Sequence, residues 1–318
     1  MVLGDPYRFI RHLTRLDSGA HVPHGFGNTL YQVDVDLVNR INTHQNSWQA
    51  TVYPELSKYT MAEIRNRAGG VKSSLSRPAT MLHRSKASEE LLALTRNLPT
   101  EFDWVNPPNG LRSPVTPIRN QESCGSCYAF ASAAALEARI RLASNFTLQP
   151  ILSPQAIVDC SPYSEDFGFV PEDCDPYTGI DGDKCPISKN CTRYYATNYG
   201  YIGGYYGATN EELMRLELVN NGPFPVGFEV YEDFQFYKQG VYRHTGLHSN
   251  RYGFDPFELT NHAVLLVGYG VDKSTGEPYW KIKNSWGPGW GEKGFFRILR
   301  GVDECGIESL GVRFDPVL

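Results

Sequence analysis

The chain has 318 residues, 41% of them hydrophobic and 20% charged, a globular composition with room for one large domain or two ordinary ones. A net charge of −5 argues against nucleic acid or an anionic membrane surface as the main partner, and no apolar run reaches the roughly eighteen residues of a membrane helix. Seven cysteines are too few for a disulfide-dense mini-scaffold, and their odd number leaves at least one thiol free if disulfides form.

The opening MVLGDPYRFI has neither a basic n-region nor an apolar h-region, so no signal peptide is expected there. The sequons Asn145-Phe-Thr147 and Asn190-Cys-Thr192 nevertheless suit an oxidising, secretory route, with glycosylation at Asn145 and Asn190. Residues 1–97 hold no cysteine and most of the histidines, and they read as a region separate from 98–318. Within them Val35, Leu37, Val38 and Ile41 predict a short amphipathic helix. Thr60-Met-Ala-Glu63 is a capping-box start for a second helix that ends at Gly69-Gly70, and a third begins after Ser88 and runs through Leu91, Leu92 and Leu94. The basic, Ser-rich stretch from Lys72 to Lys86 reads as an exposed linker and a site for proteolysis.

From Leu98 the texture changes. Cys127 to about Leu142 is strongly helical by propensity, with Tyr128, Ala131, Leu136 and Ile140 as inner positions. Ser153-Pro154 opens a short helix to Cys160, and Thr209-Asn-Glu-Glu212 starts another that stops near Gly222. After Phe224 the pattern turns to strand: PVGFEV, HAVLLVGYG, PYWKIKNSW, GFFRIL and GVRFDPV. Helices first and strands afterwards predict an α+β class.

Gln121-Glu-Ser-Cys124-Gly-Ser-Cys127-Tyr-Ala-Phe130 places two cysteines three apart just ahead of the long helix. That spacing serves a redox pair, half a zinc site, or a structural cysteine beside a nucleophile. A thiol attacks as thiolate, and the unpaired amides of a helix N-terminus favour the anion, which singles out Cys127 over Cys124. A thiolate also needs a base, and the base needs an orienting side chain. His262, opening the apolar strand HAVLLVGYG, is either a satisfied core histidine or that base, and Asn284 is placed to orient its ring from the neighbouring strand. His262 follows Cys127 by 135 residues and Asn284 follows it by 157, a Cys…His…Asn order and separation known among cysteine peptidases.

The segments LPTEFDW, NQESCGSCYAF, LTNHAVLLVGYG and KNSWGPGWGEKGFFRI, in that order from Leu98 to Leu318, resemble the papain family of cysteine peptidases. Tyr128, RNQESCGSCYAFASAAALEARIRL, CTRYYATNYGYIGGYYG and FELTNHAVLLVGYG are similar to the dipeptidyl-peptidase branch of that family, and LVNRINTHQNSWQATVY extends the likeness back into a pro-region. The resemblance implies a two-lobed α+β fold with a helical left lobe and an antiparallel β right lobe, made as a zymogen. It implies Cys127 as nucleophile, His262 as base and then acid, Asn284 as ring orienter, and Gln121 with the Cys127 amide as oxyanion donors. Trp286 would shield the His–Asn pair and Leu310 would floor a substrate pocket. Peptide substrates and the chain's own pro-region are the implied partners, in a lysosome or secreted. Neither metal nor cofactor is implied beyond a chloride ion, which Tyr201 would contact.

The likeness breaks after Cys160, where the family's Cys-x-Gly-Gly-[Phe/Trp] motif is absent and Gly203-Gly204 cannot replace it. Cys124 then lacks its family partner and stays unpaired with Cys305, the implied pairs being Cys160–Cys185 and Cys174–Cys191. The main backbone clamp on substrate and most chloride contacts go with the motif. That branch also carries an exclusion domain; none is expected ahead of Met1, and neither strict dipeptide removal nor an oligomer is expected. The alternative expectation is a catalytically impaired, peptide-binding product.

Overall fold

A computed structural model describes residues 27–69, 89–160, 168–180, 182, 185–249 and 260–318. The predicted linker from Lys72 to Lys86 lies outside them.

Helix α1 (Val35–His44) begins where the Asp34 side chain accepts the Leu37 amide at 3.0 Å. Leu37, Val38 and Ile41 are buried, but Val35 is 51% exposed: at about 100° per residue it falls beside the stripe that the other three share, not on it. Helix α2 (Met61–Arg67) carries the expected capping box, with the Glu63 amide donating to Thr60 Oγ1 at 3.3 Å and the Thr60 amide donating to Glu63 Oε2 at 2.7 Å. Helix α3 (Glu89–Thr95) follows.

Helix α4 (Cys127–Ala143) is buried on nearly every side; Tyr128 is only half-buried, whereas Ala129, Ala135 and Ala138 are fully enclosed. Small side chains let a strand and other helices approach it closely. Its two buried charges are answered: Glu137 accepts from Thr116 Oγ1 at 2.6 Å and the Leu152 amide at 2.7 Å, and Arg139 pairs with Glu217 at 2.7 Å. Helix α5 (Pro154–Cys160) ends at a disulfide to Cys185, and a second disulfide joins Cys174 to Cys191. Helix α6 (Glu211–Asn221) is capped by Asn210, whose side chain accepts the Leu213 amide, and not by Thr209, whose hydroxyl donates instead to the Ile202 carbonyl. No helix among the described residues is long and apolar enough to cross a membrane.

The predicted strands form as β4 (Phe224–Val230), β6 (Thr260–Val271), β7 (Pro278–Lys283), β8 (Phe295–Leu299) and β9 (Val312–Val317). Four more strands lie outside that prediction: β1 (Trp48–Ala50), β2 (Phe102–Asp103), β3 (Tyr195–Tyr201) and β5 (Tyr237–Tyr242). One sheet runs β1-β5-β8-β7-β6-β2 with β4 also on β6, and a second pairs β3 with β9. Among the described residues every strand pairing is antiparallel except β5 with β8, so the expected antiparallel lobe forms with one parallel pair within it. A 3₁₀ turn, Glu232–Phe236, intervenes between β4 and β5 and reverses the direction in which β5 meets the sheet.

Two cores result. An aromatic one gathers Phe228, Phe234, Tyr237, Trp280, Trp290 and Phe296, together with Leu37, Ile41 and Trp48 from the N-terminal region. The other packs the alanine face of α4 against Leu152, Ile157, Leu265, Val267 and Phe314. Cys127, Ala131 and Ala263 form a small cluster of their own, in contact with Tyr128.

Candidate active site

Cys127 is the first residue of α4 and is 4% exposed. Its Sγ accepts the backbone N–H of Ala263 at 3.4 Å, which ties it to the strand residue next to His262. His262 lies on β6 opposite Phe228 of β4 and is fully buried, its ring stacked on Trp286 at 5.2 Å between centroids.

Asn284, just past the end of β7, fixes the tautomer of that ring. Its Oδ1 accepts the Ser285 amide at 2.8 Å, so the atom facing His262 Nε2, also at 2.8 Å, is an oxygen and not an amide nitrogen. Nε2 must therefore carry the hydrogen, which leaves the lone pair on Nδ1. Nδ1 is buried and has no hydrogen-bond partner among the described residues.

Gln121 is held just as firmly. Its amide donates to the Ser285 carbonyl at 2.8 Å, its Oε1 accepts the Ser285 hydroxyl, and its Nε2 donates to the Cys124 carbonyl at 2.8 Å. With Oε1 committed to Ser285, Nε2 is the only end of the carboxamide left to face outward, and it reaches the carbonyl oxygen of Arg67 at 3.3 Å. Trp286 Nε1 donates to that same oxygen at 3.0 Å.

The segment around Arg67 thus covers the site. The Arg67 guanidinium, buried, lies 4.9 Å from the Tyr59 ring and 5.4 Å from the Trp286 ring, while the carbonyls of Asn66 and Gly69 face Gly125. Under this cover the thiol and the imidazole are both neutral. Burial pushes Cys127 up to about 11, overriding the helix N-terminus that the sequence suggested would lower it. Burial, with the Arg67 charge adding and the Asn284 hydrogen bond opposing, takes His262 down to about 4.

The remaining residues singled out in the sequence are spread around this centre. Trp286 meets Phe234 and Trp290 edge-on and completes the aromatic wall behind His262. Leu310 is buried, its carbonyl accepting the Gly227 amide next to Phe228. Tyr201 lies at the far end of β3, its ring edge-on to Tyr206 at 5.5 Å. Cys124, Cys127 and Cys305 are free, Cys305 being buried beside Glu304. Asn145 and Asn190 are exposed. Among the described residues no group of three His, Cys, Asp or Glu side chains is placed to hold a metal ion. Sequence reasoning missed Arg67 and Ser285; only the adjacency of Ser285 to Asn284 offered a signal.

A family model described as "Papain family cysteine protease" matches residues 98–313. Over 309 residues the chain is 67% identical to Cathepsin C of Schistosoma mansoni, an alignment spanning 92% of this chain and 68% of that protein. It is 35% identical over 243 residues to Pro-cathepsin H of Bos taurus, covering 71% of this chain and 67% of that one. Among solved structures, proCathepsin B S9 from Trypanosoma congolense superposes with a TM-score of 0.68 at 27% identity, covering 90% of this chain and 98% of its own. Procathepsin L2 from Tenebrio molitor gives 0.66 at 28% identity, covering 88% and 87%.

Proposed function

The chain belongs to the papain family of cysteine proteases, and from that premise we propose that it hydrolyses peptide bonds through Cys127, His262 and Asn284, with residues 1–97 acting as a pro-region over a peptidase domain of 98–318. Once the cover leaves, His262 Nδ1 takes the proton of the Cys127 thiol and the thiolate attacks the scissile carbonyl carbon. The oxyanion so formed accepts from Gln121 Nε2 and the Cys127 amide, donors of a kind worth about 2.7–4 kcal/mol each in the transition state. The imidazolium then protonates the leaving amine, a thioester remains on Cys127, and a water activated by His262 hydrolyses it. Asn284 keeps the ring in the tautomer this exchange needs, and Trp286 keeps water from the His262–Asn284 bond.

The observation that carries this reading is the Arg67 carbonyl on Gln121 Nε2: the chain's own peptide group already sits on the donor assigned to the substrate's peptide carbonyl. The likeness to Cathepsin C and to the dipeptidyl-peptidase branch supports removal of N-terminal dipeptides, with Leu310 flooring the pocket for an apolar second residue. These steps draw on side-chain and backbone groups of this chain together with water. A chloride ion contacted by Tyr201 takes no part in these steps. Two disulfides and two exposed sequons suit glycosylation at Asn145 and Asn190 and a lysosomal or secreted destination.

Hydrolysis of dipeptidyl and endopeptidase fluorogenic substrates by the processed protein, lost in Cys127→Ala, tests the proposal. The absent Cys-x-Gly-Gly motif favours a second reading, a peptide-binding product that turns nothing over. Peptide binding with no hydrolysis of either substrate class would select it.

A further inference from the structure

We propose that Tyr177 is the positioning residue that holds the Gln121–Ser126 loop, and with it the oxyanion donors, in place; this rests on the peptidase reading above. The loop needs holding. Glu122 within it has φ 55, a left-handed conformation that a residue with a side chain adopts only under constraint. Cys124 is a free thiol, so no covalent bond ties the loop to the rest of the protein. Ser126, the N-cap of α4, makes no side-chain bond to its own helix.

The Tyr177 hydroxyl meets both ends of that loop. It donates to the Gln121 carbonyl at 2.8 Å, which commits its only hydrogen, and so it accepts from Ser126 Oγ at 2.6 Å. The Cys124 amide shares the Gln121 carbonyl at 3.3 Å, closing the turn on the same oxygen. Tyr177 is itself anchored: its ring packs edge-on to Phe130 of α4 at 4.7 Å, its amide donates to Glu172 Oε1 at 3.1 Å, and the next amide, of Thr178, donates to Gln155 Oε1 at 3.0 Å. The segment is closed by the Cys174–Cys191 disulfide. Burial keeps the phenol protonated well beyond its ordinary range, so the donor persists at any working pH. A non-covalent tether thus spans 56 positions from Gln121 to Tyr177.

Tyr177→Phe removes the hydroxyl and keeps the ring against Phe130. In the full-length chain, amide hydrogen exchange of the peptide 121–127 is expected to quicken about tenfold, the scale of one or two lost hydrogen bonds. Tyr199→Phe, which removes a remote hydroxyl bonded to the Ala196 carbonyl, should leave that peptide unchanged. After processing, kcat of Tyr177→Phe should fall about tenfold with KM unaltered, while alkylation of Cys127, which builds no oxyanion, keeps its rate. Unchanged exchange at 121–127 overturns the proposal. So does a parallel fall in turnover and alkylation, which would mean general loosening of the site. If Tyr177→Phe does not fold, Ser126→Ala removes the other arm and is expected to speed the same exchange about threefold; no change there overturns the tether as well. Wild-type protein that hydrolyses nothing would defeat the peptidase reading, while the exchange measurement still decides the tether.

Discussion

The Arg67 carbonyl stands 3.3 Å from Gln121 Nε2, held by the Trp286 Nε1 donor at 3.0 Å and by the Arg67 side chain packed between Tyr59 and Trp286. Buried cation–aromatic contacts of this kind are worth about 1–2 kcal/mol. Arg67→Ala should therefore loosen the cover without touching the catalytic groups, and alkylation of Cys127 in the full-length chain should quicken about tenfold. Mass-spectrometric rates for wild type and variant check this; equal rates would show that the cover is held elsewhere.

Acid should weaken the covered form. His262 has an ordinary value of 6.5 and is held at about 4 in the fold, so as pH falls the unfolded chain takes up this proton first. The stability associated with a neutral His262 is whole above about pH 6.5 and is lost progressively toward pH 4, about 3 kcal/mol in all. Thermal unfolding of the full-length chain at pH 7 and pH 4.5 should show a drop in Tm that His262→Gln reduces. Identical pH dependence in both proteins would refute the assignment.

Ser285 decides which end of the Gln121 carboxamide points outward. Ser285→Ala should lower kcat of the processed protein about tenfold, and Gln121→Ala about a hundredfold or more, with alkylation of Cys127 little changed in either. Steady-state kinetics beside alkylation rates separates this from a loss of the nucleophile.

Reduced stability should follow loss of the bridge at the end of α5. Cys160 and Cys185 close a span of 25 residues, for which chain entropy gives about 3–4 kcal/mol. The Cys160→Ser, Cys185→Ser double variant should unfold at correspondingly lower denaturant, and a midpoint within error of wild type would contradict this.

What the sequence disclosed were features whose cause is local or carried by a motif. Thr60 and Glu63 announce a helix start because both halves of the capping box lie within one turn. Cys127, His262 and Asn284 announce themselves by order and spacing. Residues whose importance arises only when distant segments meet stayed silent: Ser285 reaches Gln121 across 164 positions, Arg67 reaches it across 54, and Tyr177 across 56. Strand β2 has only two residues, and its extended form comes from pairing with β6, not from its own composition. Thr209 and Asn210 are both good caps, and the choice fell to Asn210 because the Ile202 carbonyl claims the Thr209 hydroxyl.

Strand β1 belongs to the segment that the proposed chemistry needs out of the way, and it is also the outermost member of the main sheet. The Val241 amide donates to the Ser47 carbonyl and the Thr51 amide to the Phe236 carbonyl, both at 2.8 Å, and at Gly240, φ 103, a side chain would run into the Ser47 carbonyl and the backbone of Trp48. Removing residues 27–69 converts β5 from an interior strand into a bare rim, with amides and carbonyls turned outward and Trp48 gone from its place over Tyr237 and Tyr242. On the proposed reading, the event that frees the active site would also bare a strand edge able to pair with another copy, and a cut cover still seated at β5 would keep that edge paired.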